Sequence, residues 1–413
     1  GGIDLLPTVE RHSAYARIRQ SISDQLVLSG DVRLNHRSYD LAGPGNSGIY
    51  TVTRANPHFV SPTGGASHTI GYSFLSELGP IRQFGSSESL GVTAGLDYEI
   101  GGSWSLEGYV TYAQERAKLR STNRVNSRFL NEALGTIPDD PATPFRASVD
   151  GYANLFGNGS ANNRAVLDFI SSGYSRGQDL SRAQSANLLA QGSLFSLPSG
   201  DVQLAIGVQY RTESLEGQSS FLGSTVRPTV TLRPRRQRNV SALFGEMRAP
   251  LVIAGERPGL RSLEVSLAAR HEEYDDFGTT TNPKFGVVWS PISTLKVRGS
   301  WGTSFRAASL PQVFDGPGAS ATFLNRANGA RTLTLLLTGG NPDLRPETSE
   351  TFTAGFDFQR EDGLTLGLTY FDTSFEDRIA LPVTENIAGV LFDPDLSPFV
   401  TPVSYTHLRA HET

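Results

Sequence analysis

Two short stretches of the chain carry residue types at spacings that could support nucleophilic chemistry. Gly173, Ser175 and Gly177 match the G-x-S-x-G pattern of a nucleophilic serine, which needs a buried strand before it and a helix after it. Here the neighbouring residues predict a polar loop leading into a strand, so we interpret the match as coincidence. Ser293 and Lys296 match the S-x-x-K pattern, but they span a turn and a strand start, and we interpret them in the same way.

Two clusters of charged residues could bind ions. Clustered carboxylates suit hard cations, and four occur together: Glu272, Glu273, Asp275 and Asp276. Clustered guanidinium groups suit phosphates or other anions, and four occur together: Arg233, Arg235, Arg236 and Arg238. For the acids we favour a solvated loop tip, and for the arginines a solvated surface or the lining of a pore. We expect no catalytic residue, no cofactor and no resident metal ion.

The composition excludes several classes of protein. The chain has 413 residues, 38% of them hydrophobic and 19% charged, and it contains no cysteine, which excludes disulfides, cysteine zinc sites and cysteine nucleophiles. The formal net charge of -5 argues against a nucleic-acid partner. No apolar run reaches the length of about 18 residues that a membrane-spanning helix needs. Spanning strands remain compatible with this composition, because their apolar and polar residues alternate.

The dominant pattern is an alternation of apolar and polar residues with period 2, which is typical of β-strands. Leu26, Leu28, Val32 and Leu34 share one face of the first clear example. Similar segments are separated by turn residues such as Gly101 and the residues that follow it. This template predicts about twelve antiparallel strands of about 10–14 residues, arranged as hairpins.

The connections between these strands alternate in length. Short turns are predicted near positions 23, 101, 199, 257, 292 and 362, and long segments at 38–88, 116–182, 213–237, 273–281 and 305–348. Within the long segments we predict a helix between Asn126 and Gly135 and a helical turn at 165–170. Short turns at one end and long loops at the other are typical of an up-and-down transmembrane β-barrel with apolar faces toward lipid.

Four stretches of the second half carry a family resemblance. The residues that matter are Arg270, Tyr274, Phe277, Gly278, Asn282 and Pro283 in the first, Phe305, Arg306, Leu310 and Pro311 in the second, Asn341, Pro342, Leu344, Pro346 and Glu347 in the third, and Tyr370 to Ile379 in the fourth. In this order and spacing they resemble the TonB-dependent receptors of the outer membrane of Gram-negative bacteria. Ala308 stands where that family usually has proline.

The resemblance, which covers essentially residues 10 to 380, implies a barrel of about 22 strands with a plug domain inside it. It implies import of a scarce small-molecule or metal-chelate ligand, such as an iron-siderophore complex, cobalamin or an oligosaccharide. The implied partners are outer-membrane lipid, lipopolysaccharide, and the TonB complex through an N-terminal plug. Ligand recognition is expected in the loops at 116–182 and 305–348. A passive porin or an adhesin barrel is the alternative, and a soluble all-β enzyme or lectin comes third.

The ends of the chain suggest that it is an internal piece of a longer protein. It begins at Gly1 without an initiator methionine, and no plug-like segment precedes the first strand. We therefore expect a partial barrel at 1–403 that forms an open, curved sheet rather than a ring. Residues 404–413 have neither period 2 nor the family pattern and resemble translated sequencing-adapter DNA, so we expect them to be non-native.

Overall fold

A computed structural model describes residues 2–157, 159–252, 259–360 and 363–403. Contacts divide the chain into two compact units. The first unit comprises Gly1–Ala190 and Gln209–Asn239, and the second comprises Gln191–Val208 and Val240–Thr413. The predicted turns near 257 and at 361–362, and the predicted non-native tail at 404–413, lie outside the described residues.

Strands dominate both units. In chain order, β1 to β16 are Thr8–Ser21, Leu26–Gly45, Ser47–Thr53, Ser67–Ser73, Pro80–Gly101, Trp104–Arg124, Gly173–Leu197, Gly200–Leu222, Thr229–Val252, Ser262–Tyr274, Gly278–Ile292, Leu295–Arg306, Gly318–Asn325, Arg331–Thr338, Glu347–Gln359 and Thr365–Glu376. Hydrogen bonds order twelve of them as β1-β2-β5-β6-β7-β8-β9-β10-β11-β12-β15-β16. No ladder among the described residues joins β1 to β16, so the sheet is open. The predicted open antiparallel sheet of twelve strands is confirmed.

Six short α-helices lie in the connections. They are α1 to α6, at Leu75–Leu78, Ser127–Ala133, Ala147–Asp150, Arg164–Ile170, Leu310–Phe314 and Pro382–Glu385, and a 3₁₀ helix follows at Pro394–Phe399. The predicted helix after Asn126 is confirmed as α2, because the Asn126 side chain accepts hydrogen bonds from the amides of Arg128 and Phe129. The predicted turn at 165–170 is confirmed as α4. None of the described helices is long and apolar enough to cross a membrane.

One face of the large sheet is apolar along part of each strand. In the first unit, Ala16 lies opposite Val32, Val32 opposite Val92, and Val92 opposite Tyr112. We use the name apolar band for the residues from Leu26 to Leu34 on this face of β2, together with the residues opposite them on the neighbouring strands. In the second unit the same pattern holds, with Leu263, Val265 and Leu267 opposite Trp289, Val287 and Phe285.

The apolar band does not form a protein core. Leu96 is 37% exposed, Val110 is 54% exposed and, in the second unit, Leu366 is 56% exposed. These residues are absent from the cluster of buried hydrophobic side chains among the described residues. Leucine and valine exposed in contiguous rows on a large sheet are typical of a surface that lipid covers.

Several strands are much longer than the sequence predicts. β2, β5 and β6 have 20, 22 and 21 residues, and β7, β8 and β9 have 25, 23 and 24. The predicted loop at 213–237 therefore shrinks to 223–228, and the one at 273–281 shrinks to 275–277. Beyond the apolar band, the face that carries it also becomes polar, as the row of His36, Glu88 and Arg116 shows. The alternation of apolar and polar residues therefore disappears, although the hydrogen bonding between the strands continues.

Two further hairpins lie inside segments that the sequence predicted to be loops. β3 pairs with β4 within 38–88, and β13 pairs with β14 within 305–348. Each hairpin forms a sheet of its own, separate from the twelve-stranded sheet. The prediction of these segments as long loops missed the hairpins, because a two-stranded hairpin is held by local pairing that loop length alone does not reveal.

Candidate functional site

Two long connections of the first unit fold together around a hydrophobic core. We call residues 46–79 and 125–172 the cap. Its buried core draws on both connections, with Val52 and Phe74 from the first, and Leu130, Leu134, Phe145, Val166 and Ile170 among those from the second. Phe169 stacks against Phe129 at 4.5 Å and against Phe145 at 4.2 Å between ring centroids. The cap is therefore a small folded body rather than a pair of independent loops.

Asparagine side chains fasten the cap to the ends of the strands. Asn46 accepts a hydrogen bond from the amide of Val125 at 2.8 Å, and its amide group donates to the carbonyl of Asn123 at 2.8 Å. Asn123 has φ of 60°, a left-handed conformation that asparagine tolerates better than most residues. Its side chain donates to the carbonyls of Leu78 and Pro80 at 2.7 and 2.8 Å. These bonds join the bases of both connections.

Buried and partly buried polar groups of the cap are paired across its two connections. Asn56 is 2% exposed and donates to the carbonyls of Leu134 and Ala153 at 3.1 and 2.9 Å. The Glu77 carboxylate accepts hydrogen bonds from the Asn162 side chain at 2.9 and 3.1 Å and from the Tyr72 hydroxyl at 2.9 Å. Burial, followed by the neighbouring Glu77, raises the pKa of the Tyr72 hydroxyl. Paired in this way, these groups fix the relative position of the two connections.

Two carboxylates, Glu132 in α2 and Asp140 after it, share one arginine. Glu132 is fully buried, and its carboxylate accepts a hydrogen bond from the Thr143 hydroxyl at 3.2 Å. Arg128 lies between Glu132, at 3.5 Å, and Asp140, at 2.7 Å. The amide of Ala142, followed by the Arg128 guanidinium, holds the pKa of Asp140 below its usual value. The Arg128 guanidinium thus pairs with both carboxylates and holds the segment after α2 against the helix.

A cavity of about 840 Å³ lies in the first unit at the long-loop ends of its strands. Ser38, Phe84, Lys118, Arg120 and Arg176 are among the residues that line it. By register, Ser38 lies opposite Ser86, Ser86 opposite Lys118, and Phe84 opposite Arg120. These rows continue the face that carries the apolar band, on the side away from the short turns.

In the second unit, the first family stretch surrounds a buried carboxylate. Glu272 is 5% exposed, and it accepts hydrogen bonds from the Arg270 guanidinium and, at 2.7 Å, from the Tyr274 hydroxyl. The Tyr274 ring stacks on Phe277 at 4.4 Å and meets Phe305 edge-on at 5.8 Å. The first and second family stretches therefore meet at the ends of β10 and β12.

The second and third family stretches meet at the beginning and end of the connection from β12 to β15. The Arg306 guanidinium forms a two-bond ion pair with Glu347, whose carboxylate also accepts the amide of Ile379 at 2.8 Å. α5 begins with a reciprocal cap between Ser309 and Gln312, and it contains Leu310, which is buried, and Pro311. The amide of Asn341 donates to the carbonyl of Gln312 at 2.8 Å. Pro342, Leu344 and Pro346 lie in the segment that follows, before β15.

The structure places the remaining predicted residues as follows. Gly278, Asn282 and Pro283 lie in β11, where Asn282 is opposite Arg270. The G-x-S-x-G stretch starts β7 directly after α4, the reverse of a nucleophile turn, so its prediction as a loop was wrong. Ser293 and Lys296 span the turn between β11 and β12, as predicted.

Each of the two charged clusters has one buried member, Glu272 or Arg238, and its other members are exposed or partly exposed. Glu272 is buried, so the loop-tip interpretation was wrong for this residue, and no group of three or more acids or histidines in the described ranges could hold a metal ion. The arginines lie in β9, where Arg238 is 3% exposed and Arg233 pairs with Asp179 at 2.7 Å. Arg235 donates to Gln237 at 3.2 Å, and Arg236 lies exposed in the same strand.

Sequence reasoning missed the cap and the cavity. A signal for the cap was present, because Leu130 with Leu134, and Val166 with Ile170, have helical spacing within predicted loops. The cavity had no comparable signal, since its residues come from strands whose pairing extends beyond the period-2 pattern. The contact between the first, second and third family stretches could not be predicted from their spacing alone.

The sequence of this chain is similar to those of known proteins. The sequence profile described as "TonB dependent receptor-like, beta-barrel" matches residues 71–401. The chain is 26% identical over 191 residues to the ferric enterobactin receptor PirA of Pseudomonas aeruginosa, covering 44% of this chain and 24% of that protein. It is 26% identical over 219 residues to an iron-regulated outer membrane virulence protein of Vibrio cholerae, covering 52% of this chain and 29% of that protein.

Solved structures show the same fold at lower identity. The siderophore receptor PirA from Acinetobacter baumannii is 15% identical with a TM-score of 0.52, over 90% of this chain and 43% of that one. The RagAB peptide importer in its closed-closed state is 11% identical with a TM-score of 0.55, over 92% of this chain and 42% of that one. The chain thus spans about a quarter of the length of the sequence relatives and less than half of the structural ones.

Proposed function

Because the chain belongs to the TonB-dependent receptor family, whose members are outer-membrane receptors rather than enzymes, we propose that it forms the ligand-recognising part of an importer. The protein resides in the outer membrane of a Gram-negative bacterium. In this proposal the large sheet is a wall of the barrel. A scarce ligand binds at the long-loop ends of the strands and is imported with energy that TonB delivers through a plug domain.

The observation that carries the proposal is the folded cap. Flexible loops must lose conformational freedom when they bind a ligand, and each ordered residue costs about 1–2 kcal/mol of backbone entropy. In the cap this ordering has already occurred on folding, because Leu130, Phe74 and Ile170 are buried in one core. A preorganised surface retains more of its contact energy as affinity. A passive pore has no comparable need for such a body.

For the ligand class we propose an iron-chelate complex, ahead of cobalamin or an oligosaccharide. Support comes from two relatives, which are a ferric enterobactin receptor and an iron-regulated outer membrane virulence protein. Recognition is assigned to the cap and to the connection from β12 to β15. The second connection of the cap and the connection from β12 to β15 lie within 116–182 and 305–348, the loops in which the sequence predicted recognition. Lipopolysaccharide and TonB are proposed as partners on the same basis.

The test is uptake of a radiolabelled ferric siderophore by iron-starved cells that carry the protein in its full natural length. In one variant a short glycine-serine linker replaces 126–171, and in another it replaces 307–346. Each variant should lose uptake while its barrel still assembles, as shown by a heat-dependent shift in gel mobility. The matched control replaces the short turn at 293–294 with Asn-Gly and should retain uptake. Normal uptake by both loop variants would contradict the proposal.

A further inference from the structure

The hairpin in the connection from β12 to β15 has one face that is almost entirely apolar. The residues that share this face are, in opposite pairs, Ala319 and Leu337, Ala321 and Leu335, and Phe323 and Leu333. The leucine and phenylalanine side chains among them are all more than half exposed. On the opposite face, Leu324 and Leu336 are partly buried. We call the exposed apolar face of β13 and β14 the hairpin face.

A two-stranded hairpin needs another element to cover such a face. Two strands alone are marginally stable in water and gain stability when they pack against a further element. In the hairpin of β3 and β4, Val52 is fully buried, and Tyr50 and Ile70 pack on the core of the cap. Helices α2 and α4 contribute to that core, and they belong to the connection that follows β5 and β6. The first unit therefore covers its hairpin with the connection that comes after the next two strands of the large sheet.

The second unit has the same order of elements. The hairpin of β13 and β14 is followed by the paired strands β15 and β16, and then by α6 and the 3₁₀ helix. We call residues 379–403, which contain both helices, the trailing segment. The Glu347 carboxylate accepts hydrogen bonds from the Arg306 guanidinium and from the amide of Ile379. The trailing segment therefore starts beside the base of the connection that contains the hairpin, just as the two connections of the cap are joined at their bases.

The trailing segment exposes apolar side chains of its own. Leu381 is 69% exposed, and Phe392 and Phe399 are also more than half exposed. Within its described residues, the buried hydrophobic side chains are Val390 and Leu396. Large apolar side chains exposed together in this way are typical of a surface that packs against a partner. The hairpin face and the trailing segment thus offer two uncovered apolar surfaces within one compact unit.

The charges of these two surfaces are complementary. Residues 316–340, which contain the hairpin, carry two charged side chains, Arg326 and Arg331. The trailing segment carries three, which are Glu385, Asp393 and Asp395. Arg331 lies on the hairpin face, and its guanidinium is 5.0 Å from the centre of the Phe323 ring. The ion pairs of the second unit among the described residues involve none of these five charged groups. A basic hairpin and an acidic segment attract each other and favour this pairing over others.

We propose that the trailing segment docks on the hairpin face and forms a second cap on the second unit. The apolar side chains of both surfaces form its core, and the two arginines pair with the acidic side chains at its edge. The structure describes the undocked state, in which both surfaces are exposed. Docking orders the connection from β12 to β15 without any ligand, so it is independent of the proposed import.

The test is amide hydrogen exchange of the full-length protein in an uncharged detergent, measured on peptides of the trailing segment. Leu333→Asp/Leu335→Asp places two charges on the hairpin face. This variant should speed exchange of the trailing segment about ten-fold or more, because unpaired charges in an apolar contact open it. The matched control, Thr332→Asp/Thr334→Asp, places the same charges on the opposite face of β14 and should leave this exchange unchanged. Equal acceleration in both variants, or equal exchange in the wild type and the first variant, would overturn the proposal.

A charge reversal tests the contact without changing the apolar side chains. Arg326→Glu/Arg331→Glu should also speed exchange of the trailing segment. Adding Glu385→Arg/Asp395→Arg to that variant should restore slow exchange, because the reversed charges pair again. Failure to restore it would contradict the docking.

The same measurement separates other occupants of the hairpin face. Exchange of the hairpin and of the trailing segment in the wild type should be the same in dilute and in concentrated protein, and with or without a ferric siderophore. Protection that appears only in concentrated protein would assign the hairpin face to a second copy of the chain. Protection that appears only with the siderophore would assign it to the ligand. Either result would overturn the proposal.

Discussion

The core of the cap offers the sharpest test of whether the two connections act as one body. Leu130 is 1% exposed and lies in α2, among residues of both connections. Truncating a buried leucine to alanine costs about 2–5 kcal/mol, because transfer energy is lost and a cavity remains. If the cap unfolds as a unit, Leu130→Ala should lower hydrogen-exchange protection throughout it. At about 1.4 kcal/mol per factor of ten, the decrease should be about thirty-fold or more.

The measurement is amide hydrogen exchange of the full-length protein in detergent, followed by mass spectrometry of peptides. Decisive peptides come from the first connection, around Val52 and Phe74, because they are distant in sequence from the substitution. The matched control is Val149→Ala, since Val149 is 82% exposed in α3 and should change protection little. Loss of protection confined to α2, with β3 and β4 unaffected, would refute the idea that the two connections share one core.

Three further predictions concern other parts of the molecule. Val110→Arg, in the apolar band, should destabilise membrane folding by about 2–4 kcal/mol, whereas Thr111→Arg on the opposite face should cost much less. Refolding into lipid vesicles at graded urea measures both. Tyr274→Phe removes a hydrogen bond to buried Glu272 and should cost about 1–3 kcal/mol in thermal unfolding, while Tyr370→Phe, at an exposed site, should have little effect. Because the pKa of Asp140 is lowered on folding, its contribution is present above the ordinary aspartate pKa of about 3.9 and is lost as the pH falls through the folded value. Protection of the cap against hydrogen exchange should fall over that acidic range, and Asp140→Asn should make the fall smaller.

Prediction from the sequence succeeded where burial in lipid imposes a pattern. Leu90, Val92 and Leu96 alternate because only one face of β5 is apolar, and the register follows from that alternation. It failed where both faces are polar, so the first nine residues of β5, Pro80 to Glu88, were predicted as loop. The hairpin of β13 and β14 was missed although Leu333 and Leu335 alternate with Thr332 and Thr334 at the start of β14.

The candidate site was less predictable than the fold, because its contacts join distant residues. Tyr274 and Phe305 could be singled out by family resemblance, but nothing in their spacing predicted that their rings would meet. Helix α2 was predicted from Asn126 and Gly135. Its role in a shared core depends on the first connection, 46–79, which two long strands separate from α2 along the chain. Asn46 and Asn123 lie in segments that were predicted as loops, and only the pairing of β2, β5 and β6 reveals the hydrogen bonds that they form.

The order in which the cap can fold follows from the separation of its partners along the chain. Asn56 bonds to the carbonyl of Ala153, 97 residues away, and β5 and β6 lie between them. Closing so long a loop directly is slow, because its entropy must be lost before any contact forms. Pairing β5 with β6 first brings Pro80 and Arg124 close together and shortens the effective loop to the two connections themselves. The strands should therefore pair before the cap folds. Folding of the cap is then a late step in the assembly of this part of the chain.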